Sequence, residues 1–122
     1  MSPQAIRSRT STCYARAVRV GNHVFVSGTT ARGSDLDCDV FAQAQSVIGI
    51  IAEALQTTGA ELRHVVRTVV YVTNMADIDA VARAHGEAFG AVRPASTLVM
   101  VAGLTPANAR VEIEATAIIH DG

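Results

Sequence analysis

Two stretches of this chain, residues 66–73 (VRTVVYVT) and 96–102 (STLVMVA), are apolar at consecutive positions rather than at alternate ones. Successive side chains of a strand point to opposite faces, so a sheet covered on one side reads apolar-in and polar-out. Here Val66, Val70 and Val72 lie opposite Val69 and Tyr71, and Leu98 and Met100 lie opposite Val99 and Val101. Only two segments carry helical periodicity, and two helices cover one face of a sheet. The other face needs a cover of its own, and self-association supplies one. The strand pattern therefore predicts an oligomer.

The remaining segments fill in the order. RAVRV-GN-HVFVSG sets Gly21-Asn22 between two β-rich runs, which reads as a tight hairpin. After the loop GTTARGSDLD, Val40, Ala44, Val47, Ile51, Ala54 and Leu55 recur at helical spacing over residues 39–57. Asp37 or Asp39 caps that helix and Gly59 stops it. A second helix spans residues 75–89, with Asn74 as its cap, Asp77 in its first turn and Gly90 at its end. Its apolar stripe is Ile78, Val81, Ala82, His85 and Phe89. Residues 110–119 (RVEIEATAII) form the last strand. The order ββαβαββ makes an α+β fold with two helices on one mixed sheet. At 122 residues, with no repeat or linker, residues 1–122 are one domain.

Composition removes several functions. Ten Lys and Arg against eleven Asp and Glu give a net charge of −1, not the basic footprint of a nucleic-acid binder. With no Trp, three Phe and two Tyr, base-stacking platforms are also lacking. Cys13 and Cys38 are too far apart for a metal or redox motif and read as unpaired thiols of a reducing compartment. His23, His64, His85 and His120 have no ligand spacing, so no metal is expected. The first dozen residues lack the apolar core of a secretory signal, and the apolar run 47–55 is broken by Gly49 and Glu53. The expectation is a cytoplasmic domain with no membrane or nucleic-acid partner.

Few residues carry recognisable chemistry by themselves. Glu112 and Glu114, two apart on a strand, project to one face about 7 Å apart, where a carboxylate in a dry cleft holds a raised pKa. The same spacing also describes a solvent-facing strand edge. Ser27-Gly28-Thr29-Thr30 ends a strand, where glycine lets the backbone approach a ligand or simply makes a turn. Arg93, before Pro94, is placed to clamp a carboxylate at a strand entrance, or is a solvated loop charge. Tyr14, in the polar entry to the first strand, orients a ligand or packs. His85, on an apolar stripe, reads as a core histidine. No phosphate loop and no G-x-S-x-G elbow is present.

Taken together, Tyr14, AVRVGNHVFVSGTT (17–30), residues 59–77, Phe89-Gly90, RPASTLVMVAGL (93–104) and VEIEATA (111–117) resemble the reactive intermediate deaminase (Rid) family, also called YjgF or endoribonuclease L-PSP. The motifs occur in the family's order and cover nearly the whole chain. The resemblance implies a chorismate-mutase-like subunit in a homotrimer with a metabolite cleft between subunits. It implies cofactor-independent hydrolysis of imines and enamines. Tyr14, Ser27, Gly28 and Glu112 match family positions, with Tyr14 and Glu112 as the catalytic pair. The family's Pro-Ala-Arg-Ser reads Pro94-Ala95-Ser96-Thr97, so Ser96 stands where the carboxylate-binding Arg belongs. Ala82 and Leu98 also stand where a common Asn and, in some members, a Cys occur. Exchanging a guanidinium for one hydroxyl costs a carboxylate ligand about 2–4 kcal/mol. Ser27, Gly28, Ser96 and Arg93 are the expected substrate contacts, Arg93 as a substitute cation if its loop turns inward. Imine hydrolysis is thus one reading of an Arg-less branch. A non-catalytic binding or regulatory trimer is a second, and a ribonuclease or translation inhibitor a third.

Overall fold

The computed structural model describes residues 6–7 and 13–121, with side chains from residue 13 onward. Six strands and two helices follow in the order β1 (Ile6–Arg7), β2 (Ala17–Val20), β3 (His23–Thr29), α1 (Val40–Thr57), β4 (Val65–Val72), α2 (Ile78–Phe89), β5 (Ala95–Met100) and β6 (Val111–Ile118). The expected ββαβαββ order is present, with one addition: the two-residue β1 on the edge beside β2. The sheet runs β1-β2-β3-β6-β4-β5 and is mixed, since β5 lies parallel to β4 and every other pairing is antiparallel.

Local chemistry explains the boundaries. Gly21, at φ 60°, opens the two-residue turn that pairs Val20 with His23. Asp39 caps α1 by accepting the Ala42 N–H at 2.8 Å. At the other end Gly59, at φ 89°, lets the Ala60 N–H reach Leu55 O and its own N–H reach Gln56 O, which closes the helix. The second helix departs from expectation at both ends. Asn74 accepts from the Ala76 N–H and caps a 3₁₀ turn at Met75–Asp77, with the α-helix proper starting at Ile78. Gly90 stays right-handed at φ −56°, and Arg93 takes the left-handed position instead, at φ 57° with its N–H on Phe89 O.

Both helices lie on one face of the sheet. Val24, Val26, Val70, Val72, Val111, Ile113, Ala115 and Ala117 pack there against Val47, Ile51, Leu55, Val81 and Phe89. Gln43, fully buried in α1, ties the loops together: its amide donates to Leu36 O, Cys38 O and Asn108 O and accepts the Arg110 N–H at 2.9 Å. Arg110 in turn forks onto the buried Asp77, at 2.7 and 3.3 Å.

The opposite, helix-free face is less apolar than the strand pattern predicts. It holds Phe25 from β3, Arg67, Val69 and Tyr71 from β4, Thr97 and Val99 from β5, and Glu112, Glu114 and Thr116 from β6. Phe25 is 49% and Val99 40% exposed. Leu98 and Met100 point to the helix side instead. Val66, grouped by alternation with Val70 and Val72, is the extra residue of a β-bulge between Val65 and Arg67 and is exposed.

Candidate active site

A second bulge shapes the site. The pairing of β3 with β6 shifts between Val26 and Thr29, so Ser27 and Gly28 together stand opposite the single residue Glu114. This brings the Gly28 backbone against the Glu112 side chain: a methyl added at Gly28 would lie 2.7 Å from Glu112 Oε2. Only glycine leaves that carboxylate its place. Ser27 is spent on architecture, since its N–H donates to Arg16 O and its hydroxyl to Ala15 O at 2.8 Å, which fastens the segment before β2 to β3.

That segment delivers two side chains to the same place. Arg16 Nη2 donates to Gly28 O at 2.9 Å, and the guanidinium carbon lies 5.5 Å from the centre of the Tyr14 ring. Arg16 Nε is buried and has no hydrogen-bond partner among the described residues. Burial raises the Glu112 pKa above the ordinary carboxylate value, with the Arg16 charge opposing and Glu114 adding to the rise. Glu114 is engaged elsewhere, accepting the Tyr71 hydroxyl at 2.5 Å, and that hydrogen bond raises the Tyr71 pKa. Of the two glutamates, Glu112 is the one left beside the Gly28 backbone, within the field of Arg16. Arg16 was missed by sequence reasoning, although its position two residues after Tyr14 puts both on one side of an extended segment.

The other expected contacts lie elsewhere. Register pairs Thr68 with Ser96 and Tyr71 with Glu112, and Thr68 is buried among the helices while Tyr71 is on the open face. Ser96 and Glu112 therefore stand on opposite faces of the sheet, two strands apart, and do not meet within one chain. Ser96 Oγ accepts from Thr68 Oγ1 at 2.8 Å, and His85 Nε2 lies 2.8 Å from the same Thr68 oxygen. Ser96 and His85 border a cavity of about 190 Å³ between β4, β5 and α2. Arg93 does not turn toward it. It lines a separate cavity of about 460 Å³ with Arg63 and His120.

A family model described as "Endoribonuclease L-PSP" matches residues 4–119. Among curated relatives, the uncharacterised protein SCO2049 of Streptomyces coelicolor is 38% identical over 107 residues, covering 85% of this chain and 80% of the relative. The 2-iminobutanoate/2-iminopropanoate deaminase of Dermatophagoides farinae is 33% identical, covering 88% and 86%. Among solved structures, Rv2704 of Mycobacterium tuberculosis, described as a member of the YjgF/YER057c/UK114 family, superposes with a TM-score of 0.88 at 36% identity, covering 95% of this chain and all of that one. No helix among the described residues is long and apolar enough to cross a membrane.

Proposed function

Because this chain belongs to the endoribonuclease L-PSP family, also called the YjgF/RutC/Rid family, we propose that it binds a small imine, enamine or carbonyl metabolite in a cleft between copies of a homotrimer and hydrolyses the imine. The carrying observation is Glu112, whose carboxyl sits against the Gly28 backbone with its pKa raised by burial. A carboxylate tuned upward is a better base near neutral pH. In the proposed step Glu112 takes a proton from water as its oxygen bonds to the imine carbon. That proton goes to nitrogen to give the carbinolamine; Glu112 then passes the proton of the new hydroxyl to nitrogen as well, the C–N bond breaks as the C=O bond forms, and ammonia leaves a carbonyl product behind. Tyr14 and the Gly28 backbone hold the polar end of the ligand on one side of the cleft. Ser96, from the neighbouring copy, closes the other.

The homotrimer is part of the proposal. It covers Phe25, Val69 and Val99 on the helix-free face, and it brings together side chains that one chain holds on opposite faces. Deaminase-named relatives support the chemistry. A second reading, a non-catalytic ligand-binding trimer, draws support from Ser96 in place of the family's Arg. Ammonia release from imines generated in situ separates the two. The native protein is expected to accelerate release and Glu112→Gln to lose about 10²-fold or more of that rate. Full activity in Glu112→Gln removes Glu112 from the mechanism.

A further inference from the structure

The cavity on the helix side of the sheet meets a hydrogen-bonded chain of His85, Thr68 and Ser96. Thr68 has a single hydroxyl proton to give, either to Ser96 Oγ or to His85 Nε2, each 2.8 Å away. When the proton goes to Ser96, Thr68 accepts from His85 Nε2, which is the tautomer with hydrogen on Nε2. In that arrangement the Ser96 hydroxyl proton is left to point into the cavity that Ser96 lines. Thr68 is completely buried and Ser96 is exposed, so the chain runs from the interior to the mouth. Burial lowers the His85 pKa and keeps the imidazole uncharged at neutral pH. The walls are Val70, Val81, Ala82 and Leu98, and none of the described residues lining the cavity is Lys, Arg, Asp or Glu.

We propose that His85 and Thr68 are positioning residues that fix the Ser96 hydroxyl as an outward hydrogen-bond donor, so that this pocket selects a ligand presenting an uncharged oxygen (a carboxamide, ester or ketone) beside a short alkyl group. This rests on the reading above that the ligand meets Ser96. A free carboxylate at the same place would lose its water and gain one neutral hydrogen bond with no counter-ion. A cavity of about 190 Å³ takes a few carbon atoms.

The test uses binding of two unreactive carbonyl compounds, 2-oxopropanamide and 2-oxopropanoate, measured by calorimetry on the intact protein. The native chain is expected to bind the amide about tenfold or more tightly than the acid. Thr68→Val, which keeps shape and removes the hydroxyl, weakens the amide about tenfold and leaves the acid unchanged, while Thr68→Ser restores it. Ser96→Arg inverts the preference. Native protein that prefers the acid, or binds neither compound, overturns the proposal. So does Thr68→Val weakening both compounds alike or neither. If the acid is preferred and Arg16→Gln abolishes that preference, the anchor is Arg16 instead. Should Thr68→Val not fold, His85→Phe against His85→Gln gives the same decision, because Gln retains an N–H donor. Neither probe reacts, so absence of ammonia release refutes imine hydrolysis without altering this result.

Discussion

Replacing Gly28 by alanine probes the contact on which the proposed chemistry depends. Gly28 lies outside the left-handed region, so its backbone accepts a side chain without strain. The added methyl, however, meets Glu112 Oε2 at 2.7 Å, Cδ at 3.0 Å and Cγ at 3.4 Å. Ordinary contacts begin near 3.5 Å, so the carboxylate must withdraw by roughly 0.8 Å while the stem stays in place. The displaced group is the far end of a flexible side chain, and its new rotamer costs only about 1 kcal/mol. A displacement of that size in a catalytic group costs about 10²-fold in rate. Steady-state ammonia release and thermal melting on the same sample measure both effects. The expected outcome is a large fall in kcat with a melting shift of about 5 °C or less. Undiminished kcat would refute the placement of Glu112 in the reaction. A collapse in stability would show instead that the bulge needs glycine for its own sake.

Gln43→Leu keeps volume but orphans the Arg110 N–H and the loop carbonyls that the amide now satisfies; a loss of about 2–4 kcal/mol in denaturant unfolding is expected, and a loss below about 0.5 kcal/mol would contradict it. Val99→Asp puts a charge on the helix-free face and is expected to dissociate or unfold the oligomer, read by light scattering; native protein already at 12.8 kDa would remove the shared cleft. Burial raises the folded-state pKa of Glu112, so its ionised form costs the folded protein stability above that pKa, and the cost fades as pH falls through it. Glu112→Gln should therefore melt higher than native protein near pH 7.5, by a margin that shrinks toward pH 4; an equal margin at both pH values would argue against a buried charge.

The elements were legible because each rests on local chemistry. Gly21-Asn22, Asp39 and Gly59 set boundaries through their own backbone and side-chain preferences. Faces were harder to read. One extra residue at the Val65/Arg67 bulge reverses the alternation, which moved Val66 to the wrong group. Pairing β6 with β4 also brought the charged and polar side chains Glu112, Glu114 and Arg67 onto a face expected to be apolar. At the site, Glu112 and Gly28 were legible as a pair only through the family resemblance, since their contact crosses from β3 to β6 at an irregular register. Thr68, His85 and Ser96 were out of reach of sequence spacing: their chain depends on the parallel register of β4 with β5 and on which way α2 rolls over them.

Complementation between two inactive variants tests most directly the claim that the cleft is shared between copies. Glu112→Gln removes the proposed base on the open face, and Leu98→Trp fills the Ser96 cavity on the helix face. Each alone should fail to release ammonia. Co-assembled at equal amounts, a cleft that draws Glu112 from one copy and Ser96 from the next is intact wherever the right neighbours meet, so about a quarter of native activity should return under random mixing. A mixture as inactive as its two components would contradict the shared cleft.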